Sequence, residues 1–97
     1  MSISHKKMTA TRIITNRSCH FMGFLVGTDG TNDPTIAIHS GTTATGNEII
    51  PTNTTDASVL NLDGFMVGEE GIRCENGLYL TMTVAGAGAA EVVVYYK

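Results

Sequence analysis

Hydrophobic and polar positions alternate with a period of two through most of this chain. Leu78, Leu80 and Met82 alternate with Tyr79, Thr81 and Thr83, the pattern of a strand with one buried face. Thr35 to His39 repeats it with Ile36 and Ile38 on one side. Cys19 to Val26 is apolar on both alternating sets, which predicts a strand covered on both faces. Val92 to Tyr96 is likewise apolar on both sets. Shorter strand-like stretches are Arg12-Ile13-Ile14-Thr15, Glu48-Ile49-Ile50 closed by Pro51, Ser58 to Leu62, Phe65 to Val67, and Gly71 to Cys74. No segment sustains a period of 3.6, so helix is expected to be minor.

Turn signals separate the strands: Gly27 to Pro34, Ser40 to Asn47, Asp63-Gly64 and Asn76-Gly77. Asn-Gly is the strongest two-residue hairpin signal, so 71–84 is expected to fold as a tight hairpin about Asn76-Gly77. The small-residue stretch 85–90 is expected to join 78–84 to 91–96 in a closing hairpin. Eight or nine short antiparallel strands with such turns predict an all-β fold, a sandwich or a barrel, and the two closing strands favour a single small β-sandwich.

Ninety-seven residues hold one domain. A domain of this size buries only about two-thirds of its extended-chain surface. Charged residues are 15% of the chain, well below the usual ~25%, which suits a surface partly covered by partners. The charge is also unevenly placed. Residues 1–17 carry Lys6, Lys7, Arg12 and Arg17 and no acid, net +4. Residues 18–97 set Arg73 and Lys97 against all nine acids, net −7. The chain therefore divides into a basic N-terminal arm, 1–17, and a sandwich domain, 18–97. The arm is expected to lie on an acidic neighbour through Lys6, Lys7, Arg12, Ile13, Ile14 and Arg17.

Candidate chemistry is sparse. Cys19, Cys74, His5, His20 and His39 lack zinc-ligand spacing, and Cys19 and Cys74 are expected as buried free thiols. The two sit on different strands and could face each other. Asp29-Gly30-Thr31-Asn32-Asp33 opens like a calcium loop, but Pro34 and Ser40 stand where glycine and glutamate are needed. Gly86-Ala87-Gly88 lacks the following helix of a phosphate loop. Glu69 and Glu70 are adjacent, so they make a poor catalytic pair. Basic residues are not interleaved with aromatics, so no nucleic acid partner is expected. No apolar run reaches the ~20 residues of a membrane span, and the N-terminus has no apolar segment of a signal peptide. No cofactor and no enzymatic activity are expected.

Residues 71–97 resemble the C-terminal part of a group of small tailed-bacteriophage virion proteins. The residues that carry the resemblance are Gly71, Ile72, Cys74, Asn76, Gly77, Leu78 and Tyr79, then Val92, Val94 and Tyr96. His20 to Val26 looks like that group's first core strand, and Thr35 to Thr42 like a later strand and loop. The group commonly has Leu-Tyr-Asp where this chain has Ile38-His39-Ser40. The resemblance implies a jelly-roll-like sandwich that oligomerises on a phage particle, made in the host bacterial cytoplasm and located in the virion. Members include head decoration (cement), neck and tail components. The single small domain, charge-poor surface and basic arm favour a trimeric cement protein bound to the major capsid protein, with Val93, Tyr95 and Tyr79 at the contact between copies. The alternatives are a neck, collar or tail-tip subunit, or a carbohydrate-binding sandwich using Tyr79, Tyr95 or Tyr96.

Overall fold

The computed structural model describes residues 3–59, 62–85 and 89–97. Met1 and Ser2 of the arm, Leu60 and Asn61 of the expected 58–62 strand, and the Gly86-Ala87-Gly88 stretch lie outside the described residues. The described residues form nine strands: β1 (Ser4–Met8), β2 (Arg12–Thr15), β3 (Cys19–Thr28), β4 (Pro34–Ser40), β5 (Asn47–Thr54), β6 (Leu62–Met66), β7 (Ile72–Cys74), β8 (Leu78–Val84) and β9 (Ala90–Tyr96). Among the described residues there is no helix, hence none long and apolar enough to cross a membrane.

Two antiparallel sheets pack face to face. One runs β1-β9-β3-β6, with β7 also paired to β3, and the other runs β2-β8-β4-β5. The chain passes from one sheet to the other at nearly every connection, and β4–β5 is the one hairpin among consecutive strands. Counting β6 and β7 as one broken strand, this is the order of an eight-stranded jelly roll. The β-sandwich read from the sequence is therefore the observed fold.

The core lies between the sheets. Phe21, Phe24, Val26, Val92 and Val94 come from the first sheet, and Ile36, Ile38, Ile50, Leu78, Leu80 and Met82 from the second. Two-residue spacing puts each set on one face of its sheet, and in β3 the bulge between Phe21 and Gly23 keeps Phe21 and Phe24 on the same side. β3 is central in its sheet, between β9 on one side and β6 and β7 on the other. The bulge moves the core-facing set from Cys19 and Phe21 to Phe24 and Val26, so both alternating sets supply core residues.

Three expectations are corrected. Residues 71–84 are not a hairpin: β7 belongs to the first sheet and β8 to the second. Gly77 turns the corner between them, with a φ of 108° and its carbonyl accepting the Gly41 N–H at 2.9 Å. Asn76 has no positive φ, so the two-residue hairpin geometry is not formed. Likewise β8 and β9 lie in opposite sheets and do not pair. Finally, β5 continues through Pro51, because it is an edge strand and its register shifts between the Ile36 and Ile38 pairs, where proline's missing donor is harmless.

The basic arm is also part of the sandwich. β1 pairs with β9 from Ser4↔Tyr96 to Met8↔Val92, and β2 pairs with β8. Met8 and Ile14 enter the core at 3% and 2% exposure. Edge pairing and these two anchors hold residues that charge alone marked as a separate segment. The arm at 1–17 is thus not a unit distinct from 18–97.

Candidate interaction surfaces

The residues expected to bind partners fall on two opposite faces. Register places His5, Lys7, Val93, Tyr95, Gly23, Leu25, Gly27, Leu62, Gly64 and Met66 on the outside of the first sheet. Val93, Tyr95 and Leu25 are half-buried there, while Leu62 and Met66 are 61% and 54% exposed. Gly23 and Gly64 bring β3 and β6 close: a Cβ at Gly23 would meet the Phe65 carbonyl oxygen, and one at Gly64 the Phe24 carbonyl oxygen. With no side chains at 23, 27 and 64, the apolar band formed by Tyr95, Val93, Leu25, Met66 and Leu62 is shallow. Lys7 borders it, and its Nζ lies 3.6 Å from Glu91 Oε1 with both side chains largely exposed. The His5 and Tyr95 rings are 6.3 Å apart.

Tyr79 is on the outside of the second sheet, beside Ile13 on β2 and His39 on β4. Val93 and Tyr95 therefore lie on the opposite outer face of the sandwich from Tyr79. Ile13 is 42% exposed and accessible. Ile14 is buried in the core, which removes it from any docking surface; it follows Ile13 in β2 and so faces the opposite side of the sheet. Lys6 stands opposite Val94, on the core-facing side of an edge strand, and is half-buried. Arg12 and Arg17 are exposed. Tyr96 packs against the core, so the three tyrosines form no common platform for a sugar.

The other candidate residues have structural partners. Asp29 accepts hydrogen bonds from the N–H of Thr31, Asn32 and Ala89 and from Asn32 Nδ2, at 2.8–3.1 Å. These donors, the Asn32 N–H first, hold its carboxyl well below the ordinary carboxylate range. Its oxygens thus fasten the 29–33 loop to residue 89 in place of a cation. His39 is buried, with Nδ1 3.2 Å from the Gly46 carbonyl and Nε2 3.3 Å from Thr81 Oγ1. It pins the 41–46 loop to the sheet. Burial, and then the neighbouring Cys74, push the Cys19 thiol up to about 11, and burial raises Cys74 as well. Neither is primed as a nucleophile. A surface depression of about 460 Å³ is lined by His20, Glu69, Glu70 and Lys97, where Lys97 Nζ donates to the Glu69 carbonyl at 2.8 Å. No group of three or more His, Cys, Asp or Glu residues is placed to hold a metal ion among the described residues.

The apolar band across β9, β3 and β6 was missed by sequence reasoning at Leu25, Leu62 and Met66. The signal was present in β3, whose apolar run includes Leu25 outside the core set. No protein-family model matches this chain, and no curated protein matches it.

Proposed function

We propose that this chain is a non-enzymatic structural protein of a tailed-bacteriophage virion, a capsid decoration (cement) protein that acts as a trimer. The observation that carries this reading is the apolar band of Tyr95, Val93, Leu25, Met66 and Leu62 on the outside of a sandwich whose core is already complete. Contiguous exposed apolar surface of this kind marks a contact with other protein. The jelly-roll order is also one that viral capsid proteins use, an argument by analogy of fold alone. The resemblance of residues 71–97 to small phage virion proteins points the same way.

On this reading the two faces divide the work. The β9-β3-β6 face meets the next copy around a three-fold axis. The β2 edge, with Ile13 beside Tyr79 and with the exposed Arg12 and Arg17, meets the shell. Binding only the assembled shell would stabilise that state by mass action.

Adding purified protein to capsids that lack it tests the proposal. Saturable binding in groups of three per local three-fold site is expected, with a trimer by analytical ultracentrifugation. Binding to tail or neck fractions alone would move the protein to that part of the particle. Binding to neither would end the virion reading.

A further inference from the structure

Cys19 and Cys74 are the only two cysteines of the chain, and they stand directly opposite each other across the antiparallel β3–β7 ladder. Both are buried free thiols, at 6% and 0% exposure. Residues opposite each other in a ladder project to the same side, and here that side is the core. Neighbouring hydrogen bonds define the pairing further. His20 donates its N–H to the Lys97 carbonyl at 2.7 Å, and its own carbonyl accepts the Lys97 N–H at 3.0 Å. Its backbone groups therefore point away from β7, and those of Cys19, one residue earlier, point toward it. Cys19 and Cys74 thus form a hydrogen-bonded pair. Such pairs hold their Cα atoms about 5.5 Å apart, within the roughly 4.4–6.8 Å that a disulfide spans, while their Cβ atoms, roughly 4.5–5.5 Å apart in a ladder, must close to about 4 Å by a small shift of the short strand β7.

We propose that Cys19 and Cys74 are a site of intramolecular disulfide formation, oxidised by a low-molecular-weight disulfide, and that the bond locks β7 onto β3. One protein thiolate attacks a sulfur of the small disulfide, and one small thiol departs with the proton. The second protein thiolate then attacks the sulfur of the mixed disulfide and releases the second small thiol. The protein loses two hydrogens and gains one S–S bond, and the small disulfide is reduced to two thiols. The proposal does not depend on a virion role.

The fold explains why the bond would matter and why it would form slowly. β7 has three residues, two of them exposed, and β3 is its pairing partner. It is flanked by turns at 69–70 and 75–76, so fraying there breaks few contacts. Burial keeps both thiols protonated, which suppresses attack while β7 is docked. Oxidation is therefore gated by opening of β7. Once made, the bond ties residue 19 to residue 74 and removes much of the unfolded chain's freedom.

The test uses the whole chain, oxidised with glutathione disulfide, then alkylated in denaturant and weighed intact. The expected product is a monomer lighter by two hydrogens that takes up no alkyl group. It should melt at least about 8 °C above the reduced chain, and dithiothreitol should reverse the change. Sub-denaturing urea should speed its formation. Cys19→Ser and Cys74→Ser should each give a glutathione adduct or a disulfide-linked dimer instead, with no gain in melting temperature. Two alkylated thiols after exhaustive oxidation, two glutathione adducts, or an oxidised monomer that melts no higher than the reduced one would overturn the proposal. The wild-type measurements do not require either variant to fold.

Discussion

The Thr11 hydroxyl occupies a rung of the β8 ladder, accepting the Met82 N–H at 2.9 Å and donating to the Met82 carbonyl at 3.2 Å. β2 pairs with β8 only as far as Arg12↔Leu80, because the chain before it swings away toward β1 in the other sheet. One side chain thus extends the pairing where the backbone has left, and both polar groups of a buried residue are satisfied.

Thr11→Val keeps the shape and removes the hydroxyl. It should lower stability by about 1–3 kcal/mol, the penalty for leaving buried backbone groups unpaired. For a domain of this size each kcal/mol shifts the melting temperature by about 4–8 °C. Thr11→Ser should retain most of the wild-type value. Thermal denaturation followed by circular dichroism checks both, and equal melting of the valine variant and wild type would show that the hydroxyl contributes nothing.

Gly77 combines a positive φ with a close approach, since a Cβ there would meet the Thr15 carbonyl oxygen. Gly77→Val should lower stability by roughly 2–5 kcal/mol, from backbone strain plus the forced displacement of β2. Gly68 is the control, with nothing within 4 Å of a Cβ built on it. Gly68→Ala should change stability by less than about 1 kcal/mol. Chemical denaturation of the two variants side by side tests the contrast.

Asp29 links stability to acidity. Its carboxyl is depressed below the ordinary value of 3.8 in the folded chain, chiefly by the Asn32 N–H. A depressed acid stabilises the fold fully above its unfolded pKa, and that contribution fades as pH falls toward the folded value. Asp29→Ala should therefore melt below wild type near neutral pH, by a difference that holds down to about pH 4 and narrows under stronger acid. Melting curves from pH 7 to pH 2 test this. A constant difference across the whole range would mean that Asp29 acts through its shape and not its charge.

Strand existence was legible wherever side chains alternate: β3, β4, β8 and β9 follow from their two-residue period. Partnering was not. The Asn76-Gly77 pair reads locally as a hairpin, yet Leu78 is drawn to β4 and β2 while Cys74 is drawn to β3, and burial in two different sheets overrides the turn signal. β1 was missed because His5, Lys6 and Lys7 carry no apolar alternation; its pairing rests on backbone bonds to β9 and on Met8. Among site residues, alternation puts Ile13 and Ile14 on opposite faces, but which of them faces the core depends on how β2 pairs with β8, which two adjacent isoleucines cannot reveal. The Lys97–His20 backbone pair that orients Cys19 toward Cys74 is likewise a tertiary contact between distant positions.

The N-terminal strand gives the last prediction, and it reverses what charge alone suggests. A mobile arm could be removed without harm. Here deletion of residues 2–11 takes away β1, the buried Met8 and the Thr11 hydroxyl, and leaves the edge of β9 open. Losing a buried methionine alone typically lowers stability by about 2–5 kcal/mol, and an open edge of Val92, Val93 and Val94 invites strand-to-strand association. The truncated chain should melt at least about 10 °C below wild type or aggregate. Charge can be probed without touching the fold by replacing Lys7, Arg12 and Arg17 with glutamine. All three are exposed, and the Lys7–Glu91 pair is a surface ion pair worth at most about 1 kcal/mol. That triple variant should melt within several degrees of wild type. On the proposed function it should also bind capsids more weakly at low salt, with the difference vanishing near 1 M salt, where the Debye length is only ~3 Å. Full decoration by the triple variant at low salt would show that the apolar surfaces carry attachment alone, and a truncated chain as stable as wild type would show that β1 contributes nothing to the sandwich.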